Sequence, residues 1–194
     1  MNQKLFVCLA ILAGLFLADN LFAQSAAKPV AKPVAKPVPG IVGQQAPKWD
    51  VSKWHQLPAG KTDIDISDYK GKVVYLYFFQ SWCPGCHSTG FPNLQKLHTK
   101  YKDDPNVKFV AIQTTFEGHS INTADKLKPT ADKYKLPIPF GQSAGAGTPP
   151  IMQKYRSRGT PWVVLIDKNG RVQFNDFHLD PKKAAWAIDT LKSR

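Results

Sequence analysis

The feature that most constrains the fold is a run of seven apolar or aromatic residues, Val73–Phe79, followed closely by a Cys-x-x-Cys pair. A run of this length, rich in strand formers, predicts a β-strand buried on both faces. Apolar residues then recur at spacings of three and four, which predicts a helix with one apolar face: Phe91, Leu94, Leu97, His98 and Tyr101. Pro92 is expected to kink this helix. A second apolar run, Val107–Gln113, completes a strand–helix–strand unit, which is expected to be right-handed and parallel.

The remaining segments predict further elements of an α/β domain. Residues 49–66 predict an N-terminal hairpin or edge strands, and residues 121–136 predict a helix interrupted by Pro129. Residues 141–150 predict a flexible loop, and residues 152–156 a short helix. A strand at 162–167 turns through Asn-Gly into an antiparallel strand at 171–174. Asp180 caps a C-terminal helix, so the predicted order is β-α-β-α-β-β-α with an N-terminal extension.

The N-terminal residues predict export. In residues 1–23, Lys4 precedes an apolar run of 13 residues and Ala23 offers a small residue before a cut, which is typical of a signal peptide. Because spanning a bilayer needs roughly 20 residues, we expect cleavage, with an uncleaved membrane anchor as the alternative. Residues 24–40 contain three Ala-Lys-Pro-Val repeats, which favour an extended polyproline II linker. The folded domain is then expected to occupy residues 41–194.

Cysteine usage favours redox chemistry over a structural cross-link. The chain has 3 Cys, and signal cleavage would remove Cys8 and leave Cys83 and Cys86. A disulfide that closes so short a loop constrains the unfolded chain very little, so a working dithiol is the better interpretation. The net charge of +12 is interpreted as a solvated basic face, with attraction to acidic partners or anionic membranes as the alternative. Expected export and the lack of a nucleic-acid motif argue against nucleic acid as a partner.

The predicted position of the two cysteines assigns them different roles. Cys83 falls where the strand ends and the helix begins, and unpaired backbone N–H groups at a helix start favour a thiolate. Cys86 lies one turn further along. We therefore predict that Cys83 attacks and that Cys86 resolves the mixed disulfide and releases the partner. Two buried side chains, or two sulfur atoms too far apart to bond, would contradict this prediction.

The motif Trp82-Cys83-Pro84-Gly85-Cys86 after a buried strand resembles the thioredoxin superfamily, in particular its secreted TlpA/ResA-like group. A second motif, Gly159-Thr160-Pro161 directly before a strand, supports the resemblance. It implies a thioredoxin-like fold: a central mixed β-sheet flanked by helices, with an N-terminal strand or hairpin extension. It also implies that the bond before Pro161 is cis, that Pro161 faces the dithiol, and that the Thr160 backbone pairs with an extended partner chain. We predict that Trp82, Thr160 and Pro161 bind substrate and that Trp82 shields one side of the dithiol.

Two positions depart from what this superfamily usually carries. Thioredoxins proper have a buried Asp six residues before the first Cys, where this chain has Tyr77. ResA-like proteins have a Glu just before the Phe-Pro of the active-site helix, where this chain has Gly90. The resemblance therefore assigns no proton-transfer residue to the resolving thiol. Peroxidatic members typically have Thr three residues before the reactive Cys, and Gln80 at that position argues against a peroxidase.

His87 leaves alternatives open, because Cys83-Pro84-Gly85-Cys86-His87 also matches the c-type haem attachment motif. Small c-type cytochromes are mostly helical, however, whereas this motif follows a buried strand in an α/β pattern. Two Cys and one His in a single turn provide at most three zinc ligands, so we predict neither a metal site nor a stable cofactor. His87 is then either an exposed helix residue or a group that tunes the thiolates.

These observations predict an extracytoplasmic thiol–disulfide oxidoreductase, periplasmic where a periplasm exists, that reduces disulfide bonds in proteins. The resemblance implies a membrane electron donor that reduces the enzyme again. A disulfide oxidase or isomerase of the same fold is the alternative, because the direction of exchange depends on a potential that the sequence does not supply. A c-type haem electron-transfer protein or a metal-handling binding protein is the alternative of a different class.

Overall fold

The computed structural model describes residues 40–145 and 147–194; the predicted signal peptide and all of the predicted linker except Gly40 lie outside them. Six strands are described: β1 Val51–His55, β2 Val73–Phe79, β3 Val107–Gln113, β4 Phe140–Ser143, β5 Trp162–Ile166 and β6 Val172–Asp176. Four α-helices accompany them: α1 Phe91–Tyr101, α2 Leu127–Tyr134, α3 Pro150–Tyr155 and α4 Pro181–Ser193. No helix among these described residues is long and apolar enough to cross a bilayer.

The strands form one mixed sheet in the order β1-β4-β3-β2-β5-β6. Strand β2 pairs parallel with β3 and antiparallel with β5, and β3 pairs parallel with β4. Alternate residues of β2 point to opposite faces. Tyr75, Tyr77 and Phe79 pack among α1, α2 and α4, whereas the residues between them pack with α3 in a second apolar cluster. A mixed sheet covered on both faces confirms the predicted thioredoxin-like fold.

The structure corrects two predictions for the segment between β3 and β5: the loop over residues 141–150 and the helix interruption at Pro129. The predicted loop 141–150 begins with three residues of β4, a strand that the sequence analysis missed because Gly, Gln and Ser give no apolar signal. Gly141 is required there, since a Cβ would lie 2.8 Å from the ring of Trp54 on β1. Of the two alternatives for residues 49–66, the structure has an edge strand: β1 pairs antiparallel with β4. Pro129 does not interrupt α2, because it lies in the first turn of that helix, where its missing N–H costs no bond.

The helix after the dithiol differs from the predicted kinked α-helix. Helical backbone begins at residue 84, widens into a π-helical turn over Cys86–Gly90, and continues as α1. Pro92 has no N–H to donate to the carbonyl of Ser88, and its ring would press against that carbonyl in a regular α-helix. The π turn avoids this conflict, because the N–H of Phe91 donates to the Cys86 carbonyl five residues earlier.

Candidate active site

The two cysteines lie where β2 ends and the helix begins, and both are free thiols. The N–H of Cys83 donates to the Gln80 carbonyl at 3.1 Å, which holds the connecting turn. The backbone N–H of Cys86 donates to the Cys83 Sγ atom at 3.3 Å. This N–H belongs to the first helical turn, whose donors have no partner inside the helix. The helix start therefore presents a hydrogen-bond donor to the sulfur predicted to act as a thiolate.

The two side chains are buried to different extents. Cys86 is completely buried, whereas 8% of the Cys83 surface remains exposed. Both side chains are therefore buried, which contradicts our expectation of an accessible attacking thiol. The Thr160 carbonyl lies 3.6 Å from the Cys83 sulfur. Cys83 is the outer sulfur and Cys86 the inner one, which is the order that the predicted roles require.

Burial raises the pKa of the Cys86 thiol to about 12, and its hydrogen bond with Cys83 adds to the increase. The nearby Gln80 backbone and Tyr77 hydroxyl act in the opposite direction and lower the pKa of Cys86. The inner thiol is therefore protonated in the resting dithiol, and it needs help to become a nucleophile.

This raised pKa predicts that the reduced protein loses stability at alkaline pH. An unfolded thiol titrates near 9.0, so between pH 9 and about 12 the folded protein holds one more proton than the unfolded chain. The free energy of unfolding should then fall by up to about 1.4 kcal/mol per pH unit in this window. Denaturant unfolding of the reduced and oxidised proteins at pH 8 to 10 measures it, because the oxidised pair does not titrate. In reduced Cys86→Ala, the free energy of unfolding should not show this additional fall with pH. The same pH dependence of the free energy of unfolding in reduced and oxidised wild type would refute the prediction.

The structure brings Thr160 and Pro161 to the dithiol. The Thr160–Pro161 peptide bond is cis, as the resemblance implied. A Cβ on Gly85 would lie 3.3 Å from the Pro161 ring, so this proline packs directly against the turn between the cysteines. The Cys83 thiol faces the Thr160 carbonyl on the same side. A loop far away in the sequence thus forms one wall of the site.

His87 is half-buried, so its interpretation as an exposed helix residue is wrong. Its Nε2 atom lies 2.6 Å from the Ser81 carbonyl, and its Nδ1 atom lies 2.6 Å from the Tyr134 hydroxyl. Because a carbonyl only accepts, Nε2 carries a proton and donates to Ser81. The Tyr134 hydroxyl bonds with Nδ1 and also lies 3.4 Å from the His87 carbonyl, to which it can donate. Both ring nitrogens are used inside the protein, so neither faces the sulfur atoms and neither is free to bind a haem iron. His87 instead links the helix to the segment before Cys83.

Two residues that the sequence analysis missed also hold this segment. The Asn122 Oδ1 atom accepts from the Ser81 N–H and hydroxyl, both at 2.9 Å. The Gln113 side chain accepts from the same N–H at 3.2 Å. Both amides are fully or almost fully buried. Gln113 was detectable as the polar end of an apolar strand, but nothing in the sequence marks Asn122, because its role depends on a loop folding back.

Several known proteins are similar to this chain in sequence. Residues 42–175 match the model of the AhpC/TSA family. The thiol-disulfide oxidoreductase ResA of Bacillus thuringiensis subsp. konkukian (strain 97-27) is 30% identical over 131 residues, which are 68% of this chain and 66% of that protein. Peroxiredoxin Bcp of Bacillus subtilis (strain 168) is 28% identical over 152 residues, covering 68% of this chain and 81% of that protein.

Solved structures show the same fold. A crystal structure of a thioredoxin-like superfamily protein has a TM-score of 0.71 and 33% identity, and the match covers 77% of this chain and 97% of the other. A thiol-disulfide isomerase from Corynebacterium glutamicum has a TM-score of 0.64 and 30% identity, with the same coverage. The family model covers most of the described domain. This chain therefore belongs to the AhpC/TSA family and has its thioredoxin-like fold.

Proposed function

We propose that this chain is a thiol–disulfide oxidoreductase that reduces disulfide bonds in proteins outside the cytoplasm. The observation that carries the proposal is the paired geometry of the cysteines: an outer sulfur that accepts an N–H at 3.3 Å and a fully buried inner thiol behind it. The similarity to ResA supports the reaction class. The export features of residues 1–40 support the location.

The proposed reaction has two steps. The Cys83 thiolate attacks one sulfur of the partner disulfide; a bond forms between them, and the other partner sulfur leaves with the electron pair and takes up a proton. Cys86 then loses its proton and attacks the Cys83 sulfur, which closes the intramolecular disulfide and releases the second partner thiol. The partner gains two electrons and the enzyme loses two. A donor, proposed to be a membrane protein, must return them in each cycle.

The proposed substrate surface surrounds Cys83. Trp82 is 44% exposed and Ile121 is 49% exposed, the kind of apolar surface that marks a contact site. Both side chains approach Gly118, where a Cβ would lie 3.3 Å from the Trp82 ring and 3.2 Å from Ile121. Thr160 and Pro161 border the sulfur on its other side. We propose that an extended partner chain lies between these two borders and pairs with the Thr160 backbone.

His87 is proposed to position the segment that carries Cys83. Its bond to the Ser81 carbonyl fixes the residue two places before the attacking sulfur, and Tyr134 fixes the imidazole ring in turn. In this role His87 acts through the backbone, because its ring nitrogens do not face the thiols.

Insulin reduction in the presence of dithiothreitol tests the reaction class, and a redox titration of the Cys83–Cys86 couple tests its direction. We expect catalysed precipitation of insulin and a midpoint near about −270 mV, the thioredoxin end of the scale. A midpoint near about −120 mV would identify an oxidant instead. Absence of any catalysis by the wild-type protein would refute the proposal.

A peroxide-consumption assay addresses the relationship to peroxiredoxins. The Gln80 side chain is buried, and its Nε2 atom donates to the Glu117 carbonyl at 3.2 Å. It therefore offers no hydroxyl beside Cys83 at the position where peroxidatic members typically have Thr. We expect little peroxide turnover compared with disulfide reduction.

A further inference from the structure

The Tyr77 ring packs in the core, but its hydroxyl is a buried polar group without an evident structural purpose. It is completely buried on the face of β2 that packs against α1. Its hydroxyl makes no hydrogen bond of good geometry with any residue in the described part of the chain. Leaving a buried hydroxyl unsatisfied costs free energy, and such a group in a native protein calls for a functional explanation.

The surroundings of this hydroxyl point to the inner thiol. A Cβ on Gly90 would lie 2.0 Å from the Tyr77 Oη atom, so the phenol fills the space that a side chain at position 90 would occupy. Cys86 begins the π-helical turn that Gly90 ends. The Tyr77 hydroxyl and the Cys86 thiol are close enough to influence each other's pKa, although they form no well-aligned hydrogen bond in the dithiol state.

We propose that Tyr77 is a catalytic residue whose hydroxyl donates a hydrogen bond to the Cys86 sulfur once that sulfur becomes a thiolate. This inference rests on the proposed oxidoreductase function and assigns a residue to its second step. The Tyr77 hydroxyl lacks a hydrogen-bond partner in the resting protein because its acceptor, the Cys86 sulfur, carries a negative charge only during that step. A charged acceptor makes the stronger hydrogen bond, so the interaction favours the reacting state over the resting one.

Tyr77 acts as a donor and not as a base. Burial raises its pKa well above 10, with a smaller contribution from Cys86, so the phenol keeps its proton. The Cys86 electron pair forms the bond to Cys83, and the departing partner sulfur takes the pair of the broken bond together with the proton that Cys86 gives up. The titratable groups that affect the pKa of Cys86 are Cys83 and Tyr77, whereas Tyr75 affects that of Tyr77 and not that of Cys86. Among the described residues, no carboxylate or ammonium group contributes to the pKa shift of Cys86.

The test compares Tyr77→Phe with Tyr75→Phe, which removes the same atom from the same face of the same strand two residues earlier. All proteins carry Cys8→Ser, so Cys83 and Cys86 are their only thiols. In a single turnover with 5,5′-dithiobis(2-nitrobenzoate), attack by Cys83 releases the first coloured thiolate and closure by Cys86 releases the second. We expect an unchanged first phase in all variants. The second phase should slow about tenfold in Tyr77→Phe, with its pH profile shifted upward by about one unit, and should be unchanged in Tyr75→Phe.

The outcomes separate the inference from the function on which it rests. Equal second phases and equal pH profiles in wild type, Tyr77→Phe and Tyr75→Phe would overturn the role of Tyr77 and leave the dithiol reaction intact. A missing second phase in wild type would instead defeat the proposed function. Tyr77→3-fluorotyrosine keeps the ring shape and makes the hydroxyl a stronger donor, so it should accelerate the second phase. This variant also provides the test if Tyr77→Phe does not fold.

Discussion

Replacing Cys83 with serine should abolish disulfide reduction, whereas replacing Cys86 with serine should trap the partner protein on the enzyme. Serine is not ionised near neutral pH, so Cys83→Ser should lose at least roughly 10³-fold in insulin reduction. In Cys86→Ser the outer thiol still attacks, but nothing closes the disulfide, so a covalent complex accumulates. Non-reducing electrophoresis and mass spectrometry of the adduct measure both effects, in a Cys8→Ser background.

The two variants serve as controls for each other. Both keep a small side chain able to accept or donate a hydrogen bond, so the 3.3 Å contact between the Cys86 N–H and the side chain at position 83 has a counterpart in each. Unfolding curves close to that of wild type would show that the fold is retained. A stable adduct on Cys86 in the Cys83→Ser protein, formed as fast as the adduct on Cys83 in Cys86→Ser, would reverse the assigned roles.

Replacing Gly90 with alanine should destabilise the protein strongly, because the new methyl group would lie 2.0 Å from the Tyr77 hydroxyl oxygen and 2.8 Å from its ring. The ring is completely buried and packs edge-on against Phe91, which leaves it little room to move. Overpacking of this kind lowers the free energy of unfolding by about 3 kcal/mol. The higher helix propensity of alanine compared with glycine raises it by about 1 kcal/mol. We expect a net loss of about 2 kcal/mol in the free energy of unfolding, measured by denaturant titration.

Gly85→Ala is the matched control. Both glycines have helical backbone angles, and a Cβ on Gly85 would lie 3.3 Å from the Pro161 ring, an adjustable contact. We expect its stability to stay within about 1 kcal/mol of wild type. The double variant Tyr77→Phe, Gly90→Ala should recover part of the loss, because it removes the atom at 2.0 Å. Equal stabilities of Gly90→Ala and Gly85→Ala would show that the Tyr77 phenol moves aside without any loss of stability, which would contradict the prediction.

The local sequence contained the parts of the site that lie next to each other in the chain. The apolar strand, the dithiol and the start of the helix are adjacent, so their spacing alone predicted an outer and an inner sulfur. Strand β4 was missed because a short strand of Gly, Gln and Ser between two neighbours lacks the apolar pattern that identifies buried strands. The π-helical turn was missed because periodicity cannot distinguish a widened turn from a kink at Pro92.

Residues 73–101 by themselves determined that the two cysteines follow a buried strand and that Cys83 lies outside Cys86, because this depends on short-range geometry. Tertiary structure decided everything that needs two distant segments to meet. It placed Pro161 against Gly85 and allowed the imidazole of His87 to hydrogen-bond with both Ser81 and Tyr134. It also brought the Tyr77 hydroxyl into the space that Gly90 leaves open because it has no side chain. Residues 77 and 90 each depart from the family pattern, but only packing of the helix on the sheet shows that both departures meet beside Cys86.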